Sequence, residues 1–133
     1  MKLTRRYRFA ASHRLDVPAL SPEENRRLFG KCNNPYGHGH DYVLDITVEG
    51  APDDSGQIVN RREMDLLVGE KILERLDHRD LNKDVPELER VPPTTENLAS
   101  AIRGMLEKAW TLPARLVRVR ISETERNIFE LEA

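Results

Sequence analysis

The sequence predicts an α+β domain: a four-stranded antiparallel sheet in the order ββααββ, with two helices covering one face. Two patterns carry that expectation. Four stretches alternate apolar and polar residues at the two-residue period of a half-buried strand, and two stretches between them repeat apolar residues at helical three- and four-residue steps. The chain has 133 residues, which suits a single domain over 1–133, because a chain of this size removes about two thirds of its unfolded surface from water. Apolar residues at 38% and charged residues at 33% exclude a disordered or fibrous chain.

In the first strand Leu3, Tyr7, Phe9 and Ala11 form the apolar parity and Thr4, Arg6 and Arg8 the polar one. His13 shares the apolar parity and falls at the end of that face, where it is either a ligand or a hydrogen-bonded core histidine. Residues 16–31, with Pro18, Ser21-Pro22 and a charged run, are expected to be a long loop with about one helical turn. Tyr42, Leu44, Ile46 and Val48 give the second strand its apolar face, and Gly50–Gly56 is a turn.

The first helix carries Met64, Leu67, Val68, Ile72, Leu73 and Leu76. It ends at Asp77-His78, an adjacent pair that either tunes imidazole basicity or caps the helix. Pro92-Pro93-Thr94-Thr95-Glu96 starts the second helix, with a threonine N-cap and an acid in the first turn; Leu98, Ile102, Met105 and Leu106 follow. Val117, Val119 and Ile121 make the third strand. Glu123 continues its inward parity, where a carboxylate needs a cation or N–H donors as partners. A turn at Thr124–Asn127 leads into the last strand through Ile128, Phe129 and Leu131.

The stretch Phe29–His40 concentrates the chemistry. It holds the only cysteine, Cys32, in a turn-prone loop, and then His38-Gly39-His40, whose imidazoles share one side of an extended segment. Joined by His13 from the preceding strand, they would make three neutral ligands with an open fourth position, the catalytic form of a zinc site. The alternative is a pair of exposed turn histidines.

Net charge is −2, from 21 basic and 23 acidic residues spread along the chain, so no global field attracts nucleic acid or an anionic membrane. A single cysteine makes no intramolecular disulfide, and Met1–Arg6 lacks a continuous apolar run; a cytoplasmic protein is expected.

Four blocks, in this order and spacing, resemble the 6-pyruvoyltetrahydropterin synthase family and its sister enzyme 6-carboxytetrahydropterin synthase. They are Phe9–Leu15, Gly30–Tyr42, Leu76–Asn82 and Pro93–Leu98, and the likeness covers nearly the whole chain. The resemblance implies the tunnelling fold (T-fold), whose subunits join sheets into a barrel, as a homohexamer built as a dimer of trimers with intersubunit active sites. It implies zinc on His13, His38 and His40, Cys32 as proton-abstracting base, and Asp77 and His78 as its relay. Glu123, Thr94 and Thr95 would bind the pterin. The implied substrate is 7,8-dihydroneopterin triphosphate, and since the redox is internal, no nicotinamide or flavin is needed.

Within the family, Cys-Asn-Asn-Pro and the five residues between Cys32 and His38 resemble the pyruvoyl-forming enzymes. The carboxy-forming reaction is the alternative. A non-enzymatic pterin- or metal-binding protein on the same fold is a further one, against which stand the thiol and the Asp-His pair.

Overall fold

The computed structural model describes residues 1–133. Two long strands form its spine: β1 (Lys2–His13) pairs antiparallel with β2 (His38–Glu49) without interruption, from Lys2 opposite Glu49 to His13 opposite His38. Three further strands follow in the chain: β3 (Arg79–Asp80), β4 (Arg115–Ser122) and β5 (Ile128–Glu132). β4 pairs with β2 on the far side from β1, and β5 closes that end as a hairpin. The expected parities hold in β1 and β2 and at Val119 and Ile121 of β4, but a β-bulge opposite Thr47 and Val48 breaks the row at Val117, and Leu116 takes the core place facing Val48. Tyr42, Leu44, Ile46 and Val48 are fully buried, as are Val119 and Ile121.

The sheet has five strands, not four, in the order β3-β1-β2-β4-β5. The addition, β3, is only two residues long and runs parallel to β1 at Ala11 and Ser12. Two residues are too few to express a period, so the strand left no pattern in the sequence.

Helices α2 (Arg61–Val68), α3 (Glu74–Leu76) and α4 (Thr95–Ala109) supply the second layer over the core face. Between α2 and α3 the helix continues through a π-helical turn, Gly69–Leu73. Met64, Val68, Ile72 and Leu76 are all fully buried at a strict four-residue spacing. An ideal α-helix rotates each such step by about 40° past a full turn, so three steps would carry Leu76 roughly 120° away from Met64. The wider π turn takes back part of that rotation and keeps one stripe against the sheet.

Residues 16–31 hold more structure than expected. α1 (Pro22–Phe29) is two turns long and starts with a capping box: Ser21 Oγ accepts from the Glu24 N–H, and Glu24 accepts from the Ser21 N–H. Asn25, 2% exposed, holds the loop to this helix. Its Oδ1 accepts from the Val17 N–H at 2.7 Å, and its Nδ2 donates to the carbonyls of Val17, Leu20 and Ser21 at 3.1–3.3 Å. Asn25→Ala is expected to lower unfolding stability by about 1–3 kcal/mol, because it strands buried backbone groups. A urea midpoint unchanged from the parent would show that this side chain does not hold the loop.

No helix is long and apolar enough to cross a membrane.

Candidate metal and catalytic site

The β1–β2 ladder ends in histidines. His13 faces His38 across the two strands, and His40 faces the small Ala11 two pairs further in. A 3₁₀ turn, Gly30–Asn33, brings Cys32 over this end of the sheet. Its backbone is tied to the strand end: the Cys32 carbonyl accepts from the Leu15 N–H at 2.7 Å, and Asn33 Nδ2 donates to the Leu15 carbonyl at 2.6 Å. Gly37, at φ 81°, lets the loop return to β2. A Cβ there would stand 2.8 Å from the His13 carbonyl oxygen, so both conformation and space require glycine.

Four potential ligand atoms, from His13, Cys32, His40 and Glu123, lie within 4.8 Å of one another. His13 Nε2 is 3.1 Å from His40 Nε2 and 3.3 Å from Cys32 Sγ; Cys32 Sγ is 3.7 Å and Glu123 Oε1 3.5 Å from the same His40 nitrogen. Nitrogens about 2.0–2.1 Å from a tetrahedral zinc are about 3.3 Å apart, so the two imidazoles stand nearly at ligand spacing. His13 Nδ1 is 2.8 Å from the Pro93 carbonyl oxygen. That oxygen only accepts, so Nδ1 carries the proton and the Nε2 lone pair is free for a metal. Burial lowers the pKa of both His13 and His40, which favours the neutral, ligating form. The donor set fits a metal ion.

The expected groups are only partly assembled. His38 packs its ring against His40, with centroids 4.7 Å apart, but its nitrogens stand outside the group of four. Cys32, expected as the base and not as a ligand, has its sulfur inside that group. Asp77 and His78 form a pair, with Oδ2 to Nδ1 at 3.1 Å, yet the His78 side chain is 83% exposed. The side chains in hydrogen-bond contact with Cys32 are His13 and His40, so within one chain the Asp-His pair does not meet the thiol. Both residues are instead tied to β1: Asp77 Oδ1 accepts from the Ala10 N–H at 2.9 Å, and the His78 N–H donates to the Ala10 carbonyl at 2.6 Å. The Ala10 hydrogen bond is the chief cause that lowers the Asp77 pKa.

The thiol shows a related contrast. Burial first, then the charge of Glu123, pushes the Cys32 pKa up, against the sense a base requires. Thr94 is the N-cap of α4, its Oγ1 accepting from the Asn97 N–H at 3.2 Å. Thr95 is 2% exposed and its hydroxyl has no hydrogen-bond partner. The Pro93 carbonyl that orients His13 was not anticipated, since a backbone acceptor has no residue signature; the Pro-Pro dipeptide announced only a helix start.

The family model for 6-pyruvoyl tetrahydropterin synthase matches residues 2–133. The chain belongs to that family. A 6-pyruvoyl tetrahydrobiopterin synthase of Poecilia reticulata is 47% identical over 128 residues, covering 95% of this chain and 86% of the relative. The human protein of that name is 44% identical over 128 residues, covering 96% and 88%. Among solved structures, Caenorhabditis elegans 6-pyruvoyl tetrahydropterin synthase superposes with a TM-score of 0.91 at 35% identity, covering 100% of this chain and 95% of that one. The five-stranded sheet with helices on one face is thus the T-fold of the 6-pyruvoyl tetrahydropterin synthase family.

Proposed function

We propose that this chain is a zinc-dependent lyase that converts 7,8-dihydroneopterin triphosphate to 6-pyruvoyltetrahydropterin with elimination of triphosphate. The observation that supports it most directly is the His13–His40 pair at ligand spacing, its first member oriented by the Pro93 carbonyl, with a thiol and a carboxylate beside it. His13, His38 and His40 would hold the ion in this reading, His38 from its place beside His40. When bound, zinc supplies a Lewis acid that polarises the hydroxyl oxygens of the substrate side chain.

The chain's own groups provide the rest. Cys32 Sγ takes a proton from a side-chain carbon of the substrate, a task only its thiolate performs well. Within one chain the thiol touches only His13 and His40, and in this reading the Asp77–His78 pair reaches it from a neighbouring subunit. Two features favour such an assembly. β3 covers β1 only at Ala11 and Ser12, leaving most of that edge open, and the His78 side chain points to solvent from this same edge. A homohexamer with sheets joined in a barrel closes those edges. Glu123, whose ionised carboxylate only accepts, takes the N–H groups of the pterin, and in this reading Thr94 and the unpartnered Thr95 hydroxyl also bind the ring. Hydrogens lost by the side chain are gained by the ring, so neither nicotinamide nor flavin takes part.

The purified zinc-loaded protein, given 7,8-dihydroneopterin triphosphate, is expected to release triphosphate and a product with the mass of 6-pyruvoyltetrahydropterin. Mass spectrometry that instead finds carboxytetrahydropterin and acetaldehyde would assign the sister reaction.

A further inference from the structure

Two buried hydroxyls in the molecule have no hydrogen-bond partner, Thr95 Oγ1 and Tyr42 Oη. The first already has a place in the pterin pocket proposed above; the second has none. Tyr42 is fully buried, two residues beyond His40 and on the same face of β2. Its ring stacks on Phe9, with centroids 5.0 Å apart and planes 20° from parallel, and its centroid is 5.6 Å from that of His40. Those contacts use the ring alone. A phenylalanine would make them equally well and would leave no buried O–H unpaired, so the packing gives no reason for the oxygen.

The surroundings of that oxygen give one. Val43 pairs with Ser122, so the continuing register sets Tyr42 beside Glu123 on the core face. That register puts a phenol O–H with no partner, able to donate, beside a carboxylate whose ionised form only accepts. A pterin edge has the complementary pattern, N–H groups beside ring-nitrogen or carbonyl acceptors, and Glu123 alone can serve only the N–H groups.

We propose that Tyr42 is a further substrate-contacting residue, its Oη–H donating a hydrogen bond to an acceptor atom of the pterin held beside His40 and Glu123. The proposal rests on the pterin reading above.

The test is Tyr42→Phe in the full, zinc-loaded chain, with 7,8-dihydroneopterin as binding probe in calorimetry and its triphosphate as substrate. Expected are parental zinc content, a thermal midpoint equal to the parent's or higher, and a roughly 3- to 10-fold rise in the dissociation constant with a matching fall in kcat/KM. The stability arm separates a ligand contact from a structural one, since removing an unpartnered hydroxyl does not destabilise the free protein. A variant that binds and turns over like the parent overturns the proposal, as does one whose losses track a lowered midpoint or lost zinc. A parent protein that neither binds the probe nor consumes the triphosphate overturns the pterin reading itself.

Discussion

Replacing Cys32 by alanine is expected to lower turnover of 7,8-dihydroneopterin triphosphate by about 100- to 10,000-fold, the range for removing a positioned proton-transfer group. Zinc content and assembly are expected to stay as in the parent. The reasoning is that His13 and His40 already stand 3.1 Å apart without help from sulfur, and that the Cys32 backbone, not its side chain, ties the loop to Leu15. Elemental analysis must accompany the rate measurement, because Sγ lies 3.3 Å from His13 Nε2, close enough to bind the same ion. Lost zinc in Cys32→Ala would make the thiol a ligand, and full activity would remove it from the chemistry.

His38→Ala is expected to weaken zinc binding more than about 100-fold, since even a residue behind a metal ligand contributes about 10- to 100-fold. This is the sharpest test of the ligand set. The imidazole of His38 borders His40, but Glu123 Oε1, 3.5 Å from His40 Nε2, competes for the third position. Competition with a chromophoric chelator on His38→Ala and Glu123→Gln in parallel distinguishes them. Parental affinity in the first with loss in the second would give the place to the carboxylate, and Glu123 would then be unavailable to hold the pterin.

What the sequence disclosed was whatever depends on period and parity. Residues two apart on a strand share a face, so His13, His40 and Glu123 could each be set at the end of an apolar row before any contact was known, and the structure brings all three together. Signals that depend on a single short pattern were undervalued. Ser21-Pro22-Glu23-Glu24 is a complete capping-box signature, yet the charged run after it masked the helix it begins. Other features had no signature at all: the two-residue β3, the Pro93 carbonyl on His13, and the π turn that absorbs the four-residue repeat of α2 and α3. The Asp77-His78 pair was legible as residues but not as geometry. Whether it meets Cys32 depends on a neighbouring surface, and one chain's pattern carries no record of that.

The unbroken pairing of β1 with β2 also has a consequence for how molecules mature. His13 and His40 come from opposite strands, and every one of the paired positions from Lys2 to His13 lies in a single register. A slip of one residue would put His13 on the face of the sheet opposite His38 and His40 and so separate the cross-strand pair. An ion held between the two strands would therefore favour the native register over a slipped one.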